Sequence, residues 1–261
     1  MAEINNCVVS IAGFDPSGGA GILADIKTFE ANRVRGMGVL SALTFQNDIL
    51  FEGMRWIEVD EILKQLSVLR KRLEFTVVKI GLIENMEVLE TVISSLKQMQ
   101  PECQIVWDPI VRASAGFQFH NHFERKQLFP ILKNCFLITP NTEEVQFLTG
   151  IDNPKEAAQF LAKHSPVLLK GGHNKADPGI DYLFVQDKIE KIYPTGIAIY
   201  PKHGSGCVLS SAIASGLANG NDLITACRNA KIYVEHFLSS NETLLGTHDV
   251  QTPIHIAGQN G

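Results

Sequence analysis

The chain has 261 residues, 45% of them hydrophobic and 20% charged, with a formal net charge of -5. That length suits one large α/β domain or two small ones, and the apolar share supplies a full core. No run of lysine or arginine offsets the negative balance, which argues against nucleic acid or an acidic membrane surface as the main partner. An anionic substrate would have to be met locally, by placed N–H groups and single lysines. No stretch is long and apolar enough to span a bilayer, and the start, Met1-Ala2-Glu3-Ile4-Asn5-Asn6, lacks the basic opening of a signal peptide. The five cysteines (Cys7, Cys103, Cys135, Cys207 and Cys227) are odd in number and widely spaced, which reads as free thiols in a reducing cytoplasm. Among the eight histidines only His120-x-His122 approaches metal-ligand spacing; it sits in a polar loop and reads as solvated, not as a zinc site.

In chain order, Cys7–Ala12 is a short apolar, β-branched run and predicts a strand. It breaks at Gly13-Phe14-Asp15-Pro16-Ser17-Gly18-Gly19-Ala20-Gly21, a long turn. A helix follows to about Asn32 with Ile22, Ile26 and Phe29 as its apolar stripe. Asp25 shares that inward face, so it either turns sideways to water or meets a partner or ligand. Gly38–Phe45 is nearly all apolar and ends at Gln46, the pattern of a parallel strand buried on both faces. Val59–Leu73 predicts an amphipathic helix with Ile62, Leu63, Leu66 and Leu69 inward. Phe75–Ile80 predicts a strand, Met86–Met99 a helix and Gln104–Trp107 a strand ending at Asp108-Pro109. The loop 110–121 leads to a helix reaching about Lys133. Phe136–Thr139 predicts a strand, and Thr142–Leu148 and Pro154–Lys163 two short helices. Val167–Leu169 predicts a strand ending at Lys170, and Asp181–Val185 with Lys188–Tyr193 an antiparallel pair. A last amphipathic helix runs from about Asp222 to Leu238. The tail from Asn241 to Gly261 is assigned no fold. Strands alternating with helices, without repeat or linker, predict a mostly parallel sheet with helices on both faces in one domain.

The stretch from His203 to Gly220 carries the strongest chemical signal. Gly204, Ser205, Gly206 and Cys207 open a helix of small and apolar residues, so bare N–H groups and the positive end of the helix dipole make an anion site. That helix start is expected to lower the Cys207 thiol pKa. A glycine-capped turn before a core helix is the plainer alternative. Parallel sheets bind ligands outside the carboxyl ends of their strands, where this chain places Gly13–Gly21, Gln46, Gly81, Asp108, Asn141 and Lys170. Lys170 suits a phosphate, and Asp108 with Asn141-x-x-Glu144 offers hard oxygen ligands for Mg²⁺, mostly through water. Together these are parts for phosphoryl transfer without a Walker loop.

At these positions the chain resembles the hydroxymethylpyrimidine/phosphomethylpyrimidine kinases, the thiamine-pathway branch of the ribokinase-like superfamily. The segments that carry the resemblance are Ile11 through Phe29, Ala42 through Asn47, Val78-Lys79-Ile80-Gly81, Asp108-Pro109, Ile138-Thr139-Pro140-Asn141, Leu169-Lys170-Gly171-Gly172-His173 and His203-Gly204-Ser205-Gly206-Cys207. They arrive in family order over roughly residues 7 to 240. The resemblance implies a three-layer ribokinase-like fold, a homodimer, and ATP- and Mg²⁺-dependent phosphorylation of 4-amino-5-hydroxymethyl-2-methylpyrimidine and then of its monophosphate. By position, Gln46, Asp25, Gly13 and Ala20 would line the pyrimidine site, with Leu82 and Val111 as apolar walls. Cys207 would take the proton of the substrate hydroxyl, and Gly204, Ser205 and Gly206 would form the anion hole with it. Asn141 and Lys170 would touch ATP phosphates, and Asp108 and Glu144 would organise Mg²⁺.

Departures from the family pattern fall after Asp108-Pro109, where Ala-Lys-Ser-Gly is usual. This chain has Arg112-Ala113-Ser114-Ala115-Gly116, so Arg112 or Lys202 would supply the missing positive charge. The nearest alternative function is a pyridoxine/pyridoxal kinase; Gln46 favours the pyrimidine, since an amide both donates to and accepts from an aminopyrimidine edge. A Cys-His hydrolase built on Cys207 and His203 lacks an evident third orienting group, and a non-catalytic pyrimidine-binding module leaves Cys207, Asp108 and Lys170 without a task.

Overall fold

In the computed structural model, residues 6–113, 116–120, 125–172 and 178–249 are described. Of the positions named above, Met1 to Asn5, Ser114, Ala115, His122, His173 and the tail beyond Asp249 lie outside them. The strands are β1 (Cys7–Phe14), β2 (Arg35–Gln46), β3 (Phe51–Trp56), β4 (Val77–Ile80), β5 (Gln104–Trp107), β6 (Leu137–Ile138), β7 (Val167–Leu169), β8 (Asp181–Val185) and β9 (Lys188–Ile192). The helices are α1 (Gly21–Ala31), α2 (Val59–Arg70), α3 (Met86–Met99), α4 (Arg125–Asn134), α5 (Thr142–Thr149), α6 (Pro154–Leu161), α7 (Ser205–Ala218) and α8 (Leu223–Ser239).

Period-two side-chain alternation sets the layers. Val9 and Ile11 of β1, Val78 and Ile80 of β4, and Ile105 and Trp107 of β5 join a core with Leu66 of α2, Leu89 of α3, Ile131 of α4, Val145 of α5 and Ala158 of α6. The intervening Val8, Val77 and Val106 face the other way, against Phe29 of α1, Ile213 of α7 and Val234 of α8. The nine strands form one sheet in the order β3-β2-β1-β4-β5-β6-β7-β8-β9. Strands β2, β1, β4, β5, β6 and β7 run parallel. Strand β3 on one edge and the β8–β9 pair on the other are joined antiparallel. The fold is thus the expected three-layer, mostly parallel architecture. The chain leaves β1 toward β2 and later returns to β1's other side with β4, which makes the β1 end a topological switch point.

Several local expectations are corrected. Strand β3 was not anticipated, because its residues are half-buried or exposed without alternation and leave no periodic signal. About half of the element ends differ from the reading by one to three residues, as fraying ends do. His120 is buried and not solvated, and burial lowers its pKa to about 4. The described part of the tail folds back: the Lys202 ammonium donates to the Asn241 and Thr243 carbonyls, and the His203 N–H donates to Leu244 O at 2.8 Å. No helix among the described residues is long and apolar enough to cross a membrane.

A buried ion pair ties four elements at the switch point. Alternation along β4 turns Lys79, like Val77, toward the layer that holds α1 and α7. There its ammonium meets both oxygens of Asp25 on α1, at 3.0 and 2.8 Å, with both side chains fully buried. Ser10 of β1 donates to Asp25 Oδ2 at 2.5 Å and Ser211 of α7 to Oδ1 at 2.7 Å. Removing one partner of such a pair strands the other charge out of water, which costs about 3–5 kcal/mol. Asp25→Ala is therefore expected to lose stability on that order in urea unfolding, and Asp25→Leu combined with Lys79→Met to recover most of it. A loss under about 1 kcal/mol, the range of exposed pairs, would show that the charge is not sealed from water.

Candidate active site

The carboxyl ends of the parallel strands open into one cavity of ≈ 460 Å³. Its wall takes Gly13 from β1, Gln46 from the end of β2, Leu82 after β4, Asp108 after β5, Asn141 after β6, Lys170 after β7 and the residues Gly204–Cys207. These positions converge because each apolar run buries itself in the sheet and ends near the same edge, with Asp108 and Lys170 the first residues past β5 and β7.

Two loops shape the centre. In the first, Asp15 accepts hydrogen bonds from the Ser17 N–H and hydroxyl and from the Ala20 N–H, and its other contact is His203 Nε2 at 2.9 Å. His203 thereby joins the glycine turn after β1 to the approach to α7. It points its ring at Asp15, and no bond links it to Cys207 among the described residues, so the Cys-His hydrolase arrangement is not built. In the second loop Gly204 caps α7 in the left-handed region, with φ 74° and no side-chain cap. A Cβ there would lie 2.1 Å from Gly19 O, so only glycine lets the two loops touch. The first intrahelical bond of this end runs from the Val208 N–H to Gly204 O at 3.0 Å, which leaves the Ser205, Gly206 and Cys207 N–H groups at the positive end of α7.

Charge gathers beside that helix end. Lys170 Nζ lies 2.8 Å from Asp108 Oδ1 and 3.4 Å from Glu144 Oε2, and a Cβ on Gly206 would come within 3.3 Å of it. Burial alone would lower the Lys170 pKa, but the two carboxylates raise it and keep the ammonium charged. Burial pushes the Glu144 carboxyl up to about 7, with Asp108 adding to the shift and Lys170 opposing it. Asp108 also accepts from Thr139 at 3.0 Å and from Ser210 of α7 at 3.1 Å. Asn141 and Glu144 form a reciprocal cap on α5, which commits Asn141 Oδ1 and leaves its amide NH₂ as the group able to meet a phosphate.

The reading of Cys207 needs a correction in one respect. The residue does stand at the helix start, yet it is buried, and desolvation raises its pKa to about 11. Lys79 and a backbone hydrogen bond from Gly21 pull the other way, while Asp25 and Asp108 add to the rise. The helix dipole is outweighed because the thiolate would be taken out of water among carboxylates.

Gln46, Gly13, Ala20 and Leu82 line the cavity. Asp25 does not: it has no exposed surface, and its oxygens are taken by Lys79, Ser10 and Ser211. Val111 lines a neighbouring recess with Arg112, Asn141 and Glu144 and is absent from the main wall. Ile110 and Phe119 take up the apolar role there. Lys202 is turned to the tail carbonyls, so of the two candidate cations only Arg112 reaches the cavity; it sits 3.6 Å from Glu143. Two residues were readable and missed. Asp15 before Pro16-Ser17 is an Asx-turn signal, and Lys79 inside an apolar strand demands a buried partner.

Known kinases resemble this chain in sequence and fold. The family model described as phosphomethylpyrimidine kinase matches residues 15–253. The hydroxymethylpyrimidine/phosphomethylpyrimidine kinase of Aquifex aeolicus is 33% identical over 247 residues, covering 90% of this chain and 95% of that protein. The crystal structure of phosphomethylpyrimidine kinase from Clostridium difficile is 30% identical, with a TM-score of 0.71, covering 87% of this chain and 98% of that one. An ADP complex of Bacillus subtilis pyridoxal kinase is 26% identical, with a TM-score of 0.80, over 94% of this chain and 97% of that one.

Proposed function

The chain belongs to the phosphomethylpyrimidine kinase family, and we infer on that footing that it phosphorylates hydroxymethylpyrimidine on its hydroxymethyl oxygen and then converts the monophosphate to the diphosphate. It is a phosphotransferase of thiamine biosynthesis that uses ATP. The observation that carries the reading is one cavity whose wall combines Gln46, Gly13 and Leu82 with the α7 N-terminus and Lys170. Cys207 is part of the same wall, and in this reading it stands where a hydroxyl meets a transferred phosphoryl group.

In the proposed mechanism the pyrimidine lies against Gln46, Gly13, Ala20 and Leu82, with Gln46 pairing its polar edge. The N–H groups of Ser205, Gly206 and Cys207 hold charge on the transferred phosphoryl group. Lys170 and the Asn141 amide contact the nucleotide phosphates. Cys207, as thiolate, accepts the proton of the attacking hydroxyl. Mg²⁺ is also part of this reading. No cluster of three ligating side chains exists among the described residues, and the Asp108 oxygens already accept from Lys170, Thr139 and Ser210. Hard oxygen donors in that state fit a magnesium ion that keeps its waters and comes with the nucleotide, met by Asp108 and Glu144 through water. When bound it would neutralise charge on the phosphates. Five free, buried thiols support the proposed cytoplasmic setting, and the single continuous sheet supports one kinase domain.

Three outcomes test this. Cys207→Ala is expected to lose about 10²–10⁴ in turnover while still binding the pyrimidine, and no phosphoryl-thiol adduct should appear by mass spectrometry. Because the thiol is held at about 11, the base form is scarce at neutral pH and grows as pH rises. The wild-type kcat should therefore climb from about pH 6 to about pH 9, and Cys207→Asp, a stronger acid than a thiol in the same setting, should reach its plateau at lower pH. A flat wild-type profile, or a fully active Cys207→Ala, would move the proton elsewhere.

Gln46→Met removes both hydrogen-bonding groups from the pyrimidine end. An unpaired polar atom costs about 1–3 kcal/mol, so hydroxymethylpyrimidine turnover should fall by about an order of magnitude or more, and a pyridoxine-type alcohol should suffer less. Equal losses on both substrates would make Gln46 structural. The proposed homodimer draws support from exposed Phe45, Ile49, Leu50 and Phe117 around β3; light scattering that returns only a monomer mass at micromolar concentration would count against it.

A further inference from the structure

We propose that Ser211, Asp25 and Lys79 form a positioning relay under the N-terminal end of α7, which sets where Cys207 and the anion-hole N–H groups stand. The inference rests on the reading of Cys207 and that helix end as the reacting centre.

Ser211 follows Cys207 by one helical turn and shares its face. It has no exposed surface. A buried helical serine ordinarily bonds the carbonyl four residues back, and Ser215 does so, to Ser211 O at 2.9 Å. Ser211 instead reaches out of the helix to Asp25 Oδ1 at 2.7 Å. Asp25 is held in turn by Ser10 on β1 and by both contacts from Lys79 on β4. The hydroxyl therefore links α7 to two strands whose register is fixed by parallel pairing.

Ser210 gives α7 a second tie, to Asp108 at the cavity wall. The helix residues SGCVLSSAIASGLA are mostly small, so the packing surface is shallow and directional bonds of this kind help to fix rotation and slide along the sheet. Lys79 has a second role in the relay. A Cβ on Gly81 would lie 2.8 Å from Lys79 Nζ, so the ammonium sits beneath the strand exit that leads to Leu82 and the cavity. It neutralises Asp25, which would otherwise set a bare carboxylate behind the helix end that receives phosphate. The rise in the Lys79 pKa, driven by Asp25 against burial, agrees with a permanently charged group.

Ser211→Ala separates this from a merely structural role, with Ser215→Ala as the matched control, since each removes one buried hydroxyl from α7. Steady-state kinetics are normalised to folded enzyme, and thermal unfolding is measured alongside. The relay predicts that Ser211→Ala loses about ten- to a hundredfold in kcat with the hydroxymethylpyrimidine KM kept within about twofold, as expected for misplaced reacting groups. Ser215→Ala should keep kcat. Ser211→Cys, close in size and a weaker donor, should fall between Ser211→Ala and wild type, and it decides by the same split if Ser211→Ala does not fold. An unchanged kcat in the Ser211 variants, or a loss no different from that of Ser215→Ala, overturns the relay. A crippled Cys207→Ala beside a normal Ser211→Ala overturns the relay alone, whereas a fully active Cys207→Ala overturns the reading beneath it.

Discussion

A lysine with no water around it is the constraint on which this structure depends. Lys79 lies in a strand whose other residues are apolar, and its stem is closed in by the layer of α1 and α7. An ammonium in that setting must have a carboxylate against it, so Asp25 is required to face inward from α1. Once Asp25 is there, its remaining lone pairs draw in Ser10 and Ser211. Four elements, β1, β4, α1 and α7, are thereby referred to one point. Apolar burial gives most of the folding free energy, but it is non-directional; this cluster supplies direction at the place where the chain switches sides.

A second lysine repeats the arrangement in a form open to ligand. Lys170 holds Asp108 and Glu144, and Asp108 takes Ser210 of α7, the neighbour of Ser211. Consecutive serines on one helix thus reach two separate Asp–Lys pairs, one sealed and one at the cavity wall. The sealed pair keeps its charges on each other. The Lys170 side chain retains some exposure at 12%, so its ammonium can be shared with an incoming phosphate without being desolvated anew. The two clusters differ in access: one is sealed, and the other stands at the cavity wall, where the proposed phosphate contact would be made.

The thiol between them shows how environment overrides a local rule. A helix start favours the thiolate, but burial and two nearby aspartates favour the thiol, and these win. Lys79 is the main opposing influence, and it lies on a different element from Cys207. The reactivity of the helix end is therefore a property of the assembled layers and not of the glycine motif alone.

By itself the sequence determined the alternation of strands and helices, the parallel core, the sheet edge onto which the cavity opens and most of the residues on that edge. Those features are local: period-two and helical patterns record burial, and a polar residue after an apolar run marks a strand exit. Met86–Met99 and Gln104–Trp107 were legible to the residue because their patterns are strong and their ends are marked by Asn85 and by Asp108-Pro109. Strand β3 was illegible because an edge strand with mixed exposure has no period. Only the tertiary structure decided that Asp25 serves Lys79 and not the cavity, that Val111 turns to a side recess, that Lys202 serves the tail, and that the Cys207 thiol is raised. Each of these depends on neighbours far along the chain, 54 positions from Asp25 to Lys79 and 41 from Lys202 to Thr243. Desolvation and pairing are set by those neighbours, and no spacing along the chain records them.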